Sequence, residues 1–133
     1  MTPFITPTVR YTDLSLAFNA NPVTGDVTTL TDDAAIKASV INLVFTMNYE
    51  IPFHPEQGCA VYSSLFENIS PMTAAKIRRS IMDVLQNYEP RVIVQSVNVI
   101  PAPDQNSYNA TITYQILGQP LTTTITVFLE KLR

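Results

Sequence analysis

Apolar and polar residues alternate over the C-terminal part of the chain, a pattern typical of β-strands with one buried face. The pattern predicts three strands, which are VIVQSVNVIP (residues 92–101), SYNATITYQIL (107–117) and LTTTITVFL (121–129). The segments PAPDQN and GQP between them are rich in turn-forming residues. Consecutive strands joined by short turns predict an antiparallel meander.

Apolar residues recur at spacings of three and four before these strands, which predicts two amphipathic helices. The first should begin at Thr31, whose hydroxyl suits an N-cap, with Asp32 and Asp33 at the positive end of the helix dipole. We expect it to run to about Met47. Its predicted core stripe is Ile36, Val40, Leu43, Val44 and Met47, broadened by Ile41 and Phe45.

The second helix has the clearest boundaries. Ser70 suits the N-cap, and Pro71 suits the first helical position, where a missing N–H costs nothing. Pro90 should end the helix, because the residue before a proline is pushed out of the helical region. Its predicted core stripe is Ile77, Ile81, Val84, Leu85 and Tyr88.

The remaining segments predict short elements. Alternation over residues 14–18 and a second apolar stretch at 27–30 indicate two brief strands around the turn NPVTGD, paired as a hairpin. Prolines and a glycine in NYEIPFHPEQGCA (48–60) indicate an ordered loop. A short helix in VYSSLFENI (61–69) follows the loop. Its inward-facing residues should be Val61, Leu65, Phe66 and Ile69.

These elements together predict an α+β fold, with two main helices packed on one face of a small, mainly antiparallel C-terminal sheet and short N-terminal strands. At 133 residues the chain has the size of one domain, so residues 1–133 are expected to form a single domain.

Charged residues are scarce, and this bears on partners. They make up 14% of the chain, against roughly 25% in typical soluble proteins. A surface so poor in charge suggests that other subunits cover much of it. The net charge is −3 and the basic residues are scattered, so no nucleic-acid partner is expected. No apolar run approaches the ~20 residues of a membrane span, so no membrane partner is expected either.

Residues suited to catalysis or cofactor binding are few. His54 and Cys59 are the only residues of their types in the chain, and zinc usually needs about four such ligands, so we expect no metal and no other cofactor. A glycosidase needs two carboxyl groups, one with a raised pKa. The candidates are Glu50, Glu56, Glu67 and Glu89. We expect them to be cap, salt-bridge or surface carboxylates, because a sugar-binding groove normally brings aromatic platforms and the chain has no tryptophan.

The segment Glu89-Pro90-Arg91 joins the second helix to the first long strand. In extended backbone, side chains two positions apart point to the same side, so Glu89 and Arg91 should form a pair at a stiff elbow. One interpretation is a local salt bridge. The other is a rigid docking corner, because arginine is enriched at interface hot spots and its planar fork suits bidentate pairing. The residues alone leave both interpretations open.

The segment HPEQGCAVYSSLFENISPMTAAKIRRSIMDVLQNYEPRVIVQSVNVIP (54–101) resembles the contractile-tail baseplate wedge family of sheath initiators. That family includes a phage wedge component once called an acidic lysozyme and a baseplate subunit of type VI secretion systems. The proline-glycine loop, LFEN, SPMTA, NYEPR and VNVIP match it in order and spacing over about residues 33–101. The first 30 residues match the family least.

The resemblance implies assembly without catalysis. The protein would be a structural subunit of the baseplate that initiates sheath polymerisation by strand exchange with the first sheath ring. Glu89, Pro90 and Arg91 match the family signature that docks on the helical core bundle of the other wedge proteins. The implied partners are those wedge proteins, tail sheath subunits and the tail tube. The implied location is the baseplate of the virion, assembled in the host cytoplasm. The alternative is a muramidase, a lysozyme-like cell-wall hydrolase.

Overall fold

The computed structural model describes residues 11–131. The chain divides into two compact units, 1–37 and 38–133, with the division falling inside the first helix. Each unit is described by itself. The single-domain interpretation of residues 1–133 stays a prediction.

The first unit contains a small hairpin. Strand β1 (Thr12–Leu14) pairs antiparallel with strand β2 (Thr29–Thr31), so the predicted pairing is confirmed. The predicted first strand over residues 14–18 is wrong in its bounds, because the backbone turns after β1. The N–H of Phe18 donates to the carbonyl of Ser15 at 3.0 Å, and the φ of Phe18 is 51°. An alternation of only five residues does not distinguish a strand from such a turn.

Helix α1 (Asp33–Phe45) begins two residues later than predicted. Thr31 lies in β2 and does not cap the helix. Asp32 makes the transition instead: its N–H donates to the carbonyl of Tyr11 at 2.6 Å, and its own carbonyl accepts from the N–H of Ile36 at 3.1 Å. Strand pairing therefore competes successfully with the predicted cap.

The core stripe of α1 is confirmed except at its end, and its predicted broadening at Phe45 is wrong because Phe45 is exposed. Ile36, Val40, Leu43 and Val44 are buried. Met47 lies beyond the helix and is exposed, so its assignment to the core is wrong. At the end of the helix the carbonyl of Asn42 accepts from both the N–H and the hydroxyl of Thr46.

Two further helices lie in the second unit. Helix α2 (Val61–Leu65) is one short segment, and Phe66 directly after it is exposed, so its predicted inward orientation is wrong. Helix α3 (Pro71–Tyr88) begins and ends as predicted. The hydroxyl oxygen of Ser70 accepts from the N–H of Thr73 at 3.1 Å, which satisfies one of the unpaired donors at the helix start.

The predicted meander is confirmed. Strands β3 (Val92–Ala102), β4 (Ser107–Ile116) and β5 (Thr122–Glu130) form one antiparallel sheet in the order β3-β4-β5. One face is buried, and α3 packs against β3. The buried residues of the two later strands are Tyr108, Ala110, Ile112, Tyr114, Ile116, Ile125, Val127 and Leu129.

A β-bulge in β3 keeps its valines in the core. The register shifts between Val94 and Ser96. Before the shift Val92 faces the core, and after it Val97 and Val99 do so. Because side chains alternate with period two, uninterrupted pairing would have turned these two valines to the outer face. The α+β fold class is confirmed, with two long helices, a C-terminal antiparallel sheet and short N-terminal strands.

Candidate functional site

The connection between α3 and β3 is held by backbone hydrogen bonds on both sides. The N–H of Glu89 donates to the carbonyl of Leu85 at 3.1 Å, which continues the helix by one residue. Pro90 cannot extend this ladder. The carbonyl of Arg91 then accepts from the N–H of Leu117 at 2.9 Å. The elbow is therefore anchored to the helix before it and to the end of β4 beside it.

Glu89 and Arg91 form a bidentate ion pair at this elbow. Arg91 Nε lies 2.6 Å from Glu89 Oε1, and Arg91 Nη2 lies 2.8 Å from Glu89 Oε2. The side chain of Glu89 is 2% exposed and that of Arg91 is 27% exposed. Two parallel hydrogen bonds fix the orientation of the guanidinium plane as well as its distance.

A third residue completes the arrangement. The hydroxyl of Ser39, in α1, donates to Oε2 of Glu89 at 2.5 Å. Sequence reasoning missed this residue, because Ser39 is 50 positions from Glu89 and a serine within a helical stripe carries no signal of its partner. Its spacing of three residues from Ile36 and four from Leu43, both buried, is the signal that places Ser39 beside the core stripe.

The electrostatics of the site favour the ionised carboxylate. Burial alone would raise the pKa of Glu89, but the hydrogen bonds from Arg91 and Ser39 and the charge of Arg91 outweigh it, so the pKa lies below its ordinary value. Glu89 is therefore a buried anion whose oxygens are occupied by neighbours within the chain.

The three predicted site residues differ in exposure, and therefore in whether they can contact another protein. Glu89 is too buried to touch another protein, whereas Pro90 is exposed and Arg91 is partly exposed. The predicted pair exists, and the structure brings all three residues together. Their contact with a partner stays a prediction.

The other three candidate carboxylates are scattered and locally engaged. Glu50 accepts from the N–H of Met47 at 2.8 Å. Glu56 lies 3.7 Å from Nδ1 of His54. Glu67 pairs with Lys76, its oxygens 2.9 and 3.1 Å from Nζ.

Cys59 has the character of a core residue. It is buried, and burial raises the pKa of its thiol to about 11, so the nucleophilic thiolate is strongly disfavoured near neutral pH. His54 is exposed on the loop before it. Within residues 11–131, no group of three or more His, Cys, Asp or Glu side chains is placed to hold a metal ion. None of the helices in that range has the length and apolar character of a membrane span.

A sequence model of the family "Baseplate wedge protein gp25" matches residues 31–121. The chain belongs to this family. The matched range includes helices α1, α2 and α3, the elbow, and strands β3 and β4. It leaves out β1, all of β2 except Thr31, and all of β5.

One relative supports this assignment, and two solved structures share the fold. The chain is 37% identical over 86 residues to baseplate wedge protein gp25 of Enterobacteria phage T4, a match that covers 65% of each protein and so just under two thirds of that relative. The crystal structure of a putative tail lysozyme from Geobacter sulfurreducens has a similar fold, with a TM-score of 0.67 at 20% identity, covering 74% of this chain and 89% of the other. A chain of the anti-feeding prophage baseplate is similar, with a TM-score of 0.63 at 18% identity, covering 93% and 88% respectively.

Proposed function

We propose that this protein is a structural subunit of the baseplate wedge of a contractile tail, located in the virion and assembled in the host cytoplasm. Membership of the baseplate wedge family carries the proposal. The low charge content, 14% of residues, supports it, because a surface buried by neighbouring subunits has less need of charge.

The elbow is the proposed contact with the helical core bundle of the other wedge proteins. Pro90 and Arg91 reach the surface, and Glu89 lies beneath them as the support that orients the guanidinium. A guanidinium held in one orientation loses less rotamer entropy on binding than a free one. In this proposal Glu89 is a positioning residue, and Arg91 makes the contact.

Removing both charges of the ion pair together tests the docking role of the elbow. In the double variant Glu89→Gln with Arg91→Gln, no buried charge is left without its partner, so the fold should persist. We expect its co-purification with co-produced wedge proteins of the same tail to be lost. The matched control is Glu67→Gln with Lys76→Gln, which removes the exposed pair and should leave co-purification unchanged. A folded elbow variant that co-purifies like the wild type would contradict the docking role.

The outer edge of β5 is the proposed acceptor for a strand of the first sheath ring. Among residues 11–131, β5 is paired with β4 alone. Strand β5 contains no proline, whereas the opposite edge strand, β3, carries Pro101 and the bulge. Bulges and prolines obstruct strand addition, and a regular edge permits it. Sheath polymerisation would begin from this edge, with the tail tube as a further neighbour.

Charges on the outer face of β5 test this role. Lysines on an edge strand oppose the addition of another strand, so Thr124→Lys with Thr126→Lys should leave baseplates without sheath in negative-stain micrographs. The control is Thr111→Lys with Thr113→Lys on the central strand, at the positions directly opposite in the register. Normal sheath on the β5 variant would refute this edge as the acceptor.

We also propose that the protein is not a cell-wall hydrolase. A glycosidase needs a carboxylic acid with a raised pKa, whereas the pKa of Glu89 is lowered and its oxygens are occupied. A zymogram of the purified protein on peptidoglycan should show no clearing. Clearing that disappears in single Glu-to-Gln variants would establish the muramidase alternative.

A further inference from the structure

The proline loop, defined here as residues 46–60, is closed by hydrogen bonds across its neck. The carbonyl of Thr46 accepts from the N–H of Cys59 at 2.8 Å, and the carbonyl of Pro55 accepts from the N–H of Tyr49 at 3.0 Å. From outside the loop, the hydroxyl of Tyr88 in α3 donates to the carbonyl of Glu56 at 3.0 Å. The loop is therefore tied to itself and to the helix beside it.

Gly58 allows the two ends of the proline loop to approach each other closely. A Cβ at this position would lie 2.5 Å from the carbonyl oxygen of Met47 and 2.6 Å from the N of Asn48, so no larger residue fits without moving the backbone. Pro52 and Pro55 restrict the backbone further. A loop of this kind presents its side chains in a fixed arrangement.

The two aromatic residues of the proline loop combine an unfavourable backbone conformation with high exposure to solvent. Tyr49 has a φ of 68° and Phe53 a φ of 69°, a left-handed conformation that favours glycine or asparagine. The two residues are 83% and 97% exposed. The fold therefore keeps two aromatic rings in an unfavourable backbone conformation and buries neither.

The charges of the proline loop have one sign. Glu50 and Glu56 are its only charged residues, with no Lys or Arg between Thr46 and Ala60. A surface that meets this loop would be complementary if it carried basic groups around an apolar recess. Aromatic residues, Tyr and Phe among them, are enriched at the centres of protein interfaces.

We propose that the proline loop is a second docking surface, on which Phe53 inserts into an apolar pocket rimmed by Lys or Arg on a neighbouring protein subunit of the tail. The inference rests on the proposed function only in placing the partner within the tail. It uses residues separate from the Glu89–Arg91 elbow. Because the loop is pre-organised, little conformational entropy is lost when the pocket closes around the ring.

Phe53→Asn separates binding from folding. Asparagine tolerates a positive φ better than phenylalanine, and the lost side chain is exposed, so the melting temperature should stay the same or rise. The amount of the full chain in purified tails, measured by quantitative mass spectrometry, should fall by at least about tenfold if the ring is an interface hot spot. Val23→Asn, which removes an exposed apolar residue in the other unit, should change neither. Phe53→Leu should restore part of the incorporation.

A photoreactive benzoylphenylalanine at position 53 identifies the pocket. In assembled tails it should crosslink to a different tail subunit, at apolar residues next to Lys or Arg. Crosslinks to a second copy of this chain, an absence of crosslinks, or full incorporation of Phe53→Asn would overturn this inference while leaving the wedge assignment intact. If the wild-type chain were absent from tails, both this inference and the proposed function would fall.

Discussion

Two carboxylate–cation pairs in this protein lie in different surroundings, one with an arginine and one with a lysine as the cation. Glu89 and Arg91 form a bidentate pair with the carboxylate 2% exposed, and Ser39 donates a third hydrogen bond. Glu67 and Lys76 pair at 2.9 Å with side chains 46% and 54% exposed. The first pair fixes a junction between two elements, whereas the second connects the segment after α2 to the surface of α3.

Burial decides what each pair contributes. Solvent screens an exposed pair, and its formation also costs side-chain entropy, so its net contribution is about 0–1 kcal/mol. A buried carboxylate has given up its hydration, so the hydrogen bonds within the chain have to replace water. Removing one partner of the buried pair should therefore cost much more than removing one partner of the exposed pair.

Arg91→Ala should show the largest effect. It leaves the buried Glu89 with the hydroxyl of Ser39 in place of a bidentate partner, and an unpaired buried charge costs roughly 3–5 kcal/mol. We expect the free energy of unfolding, measured by urea denaturation, to fall by about 3 kcal/mol, since Glu89 can protonate or gain water. A loss below about 1 kcal/mol would show that this pair contributes no more to stability than a surface pair does.

Acidification should have the second-largest effect on stability. The pKa of Glu89 is lower in the folded chain than its ordinary value, so the stabilisation is fully present above the unfolded pKa and is lost as pH falls through the folded pKa. With an unfolded pKa of about 4.3, the loss begins below about pH 5. Protonation leaves the oxygens in place, so this effect should be smaller than that of Arg91→Ala.

The control for this pH dependence is Glu89→Gln, which does not titrate at this position. The difference in melting temperature between wild type and Glu89→Gln should be constant above about pH 6 and should shrink in acid. A difference that stays the same down to about pH 3 would show that Glu89 is not the group responsible.

Ser39→Ala should be milder. It removes a neutral donor to a charged acceptor, a hydrogen bond worth roughly 1.5–3 kcal/mol, but Arg91 still satisfies both carboxylate oxygens. We expect a loss of about 1.5 kcal/mol in urea denaturation. Ser39→Thr, which retains the hydroxyl, should recover part of that loss.

Lys76→Ala should have the smallest effect. Its pair with Glu67 is exposed, so the expected loss is below about 0.5 kcal/mol and should vanish in about 1 M salt, where the Debye length is about 3 Å. If the loss matched that of Arg91→Ala, exposure would not be the property that separates the two pairs.

The sequence alone determined the boundaries of α3 and the fold class. Ser70 and Pro71 start α3, and Pro90 ends it, because capping and proline sterics depend on adjacent residues. The alternation in β4 located its buried face for the same reason, since side-chain direction follows from strand geometry. The pairing of Glu89 with Arg91 could be expected from their spacing of two residues.

Tertiary structure decided what depends on distant neighbours. It placed Ser39 on the buried carboxylate from 50 positions away, and it inserted the bulge that returns Val97 and Val99 to the core. It also left Phe66 and Phe53 in solvent, although apolar residues are usually buried. Burial is a property of everything that packs around a residue, so no short stretch of sequence specifies it.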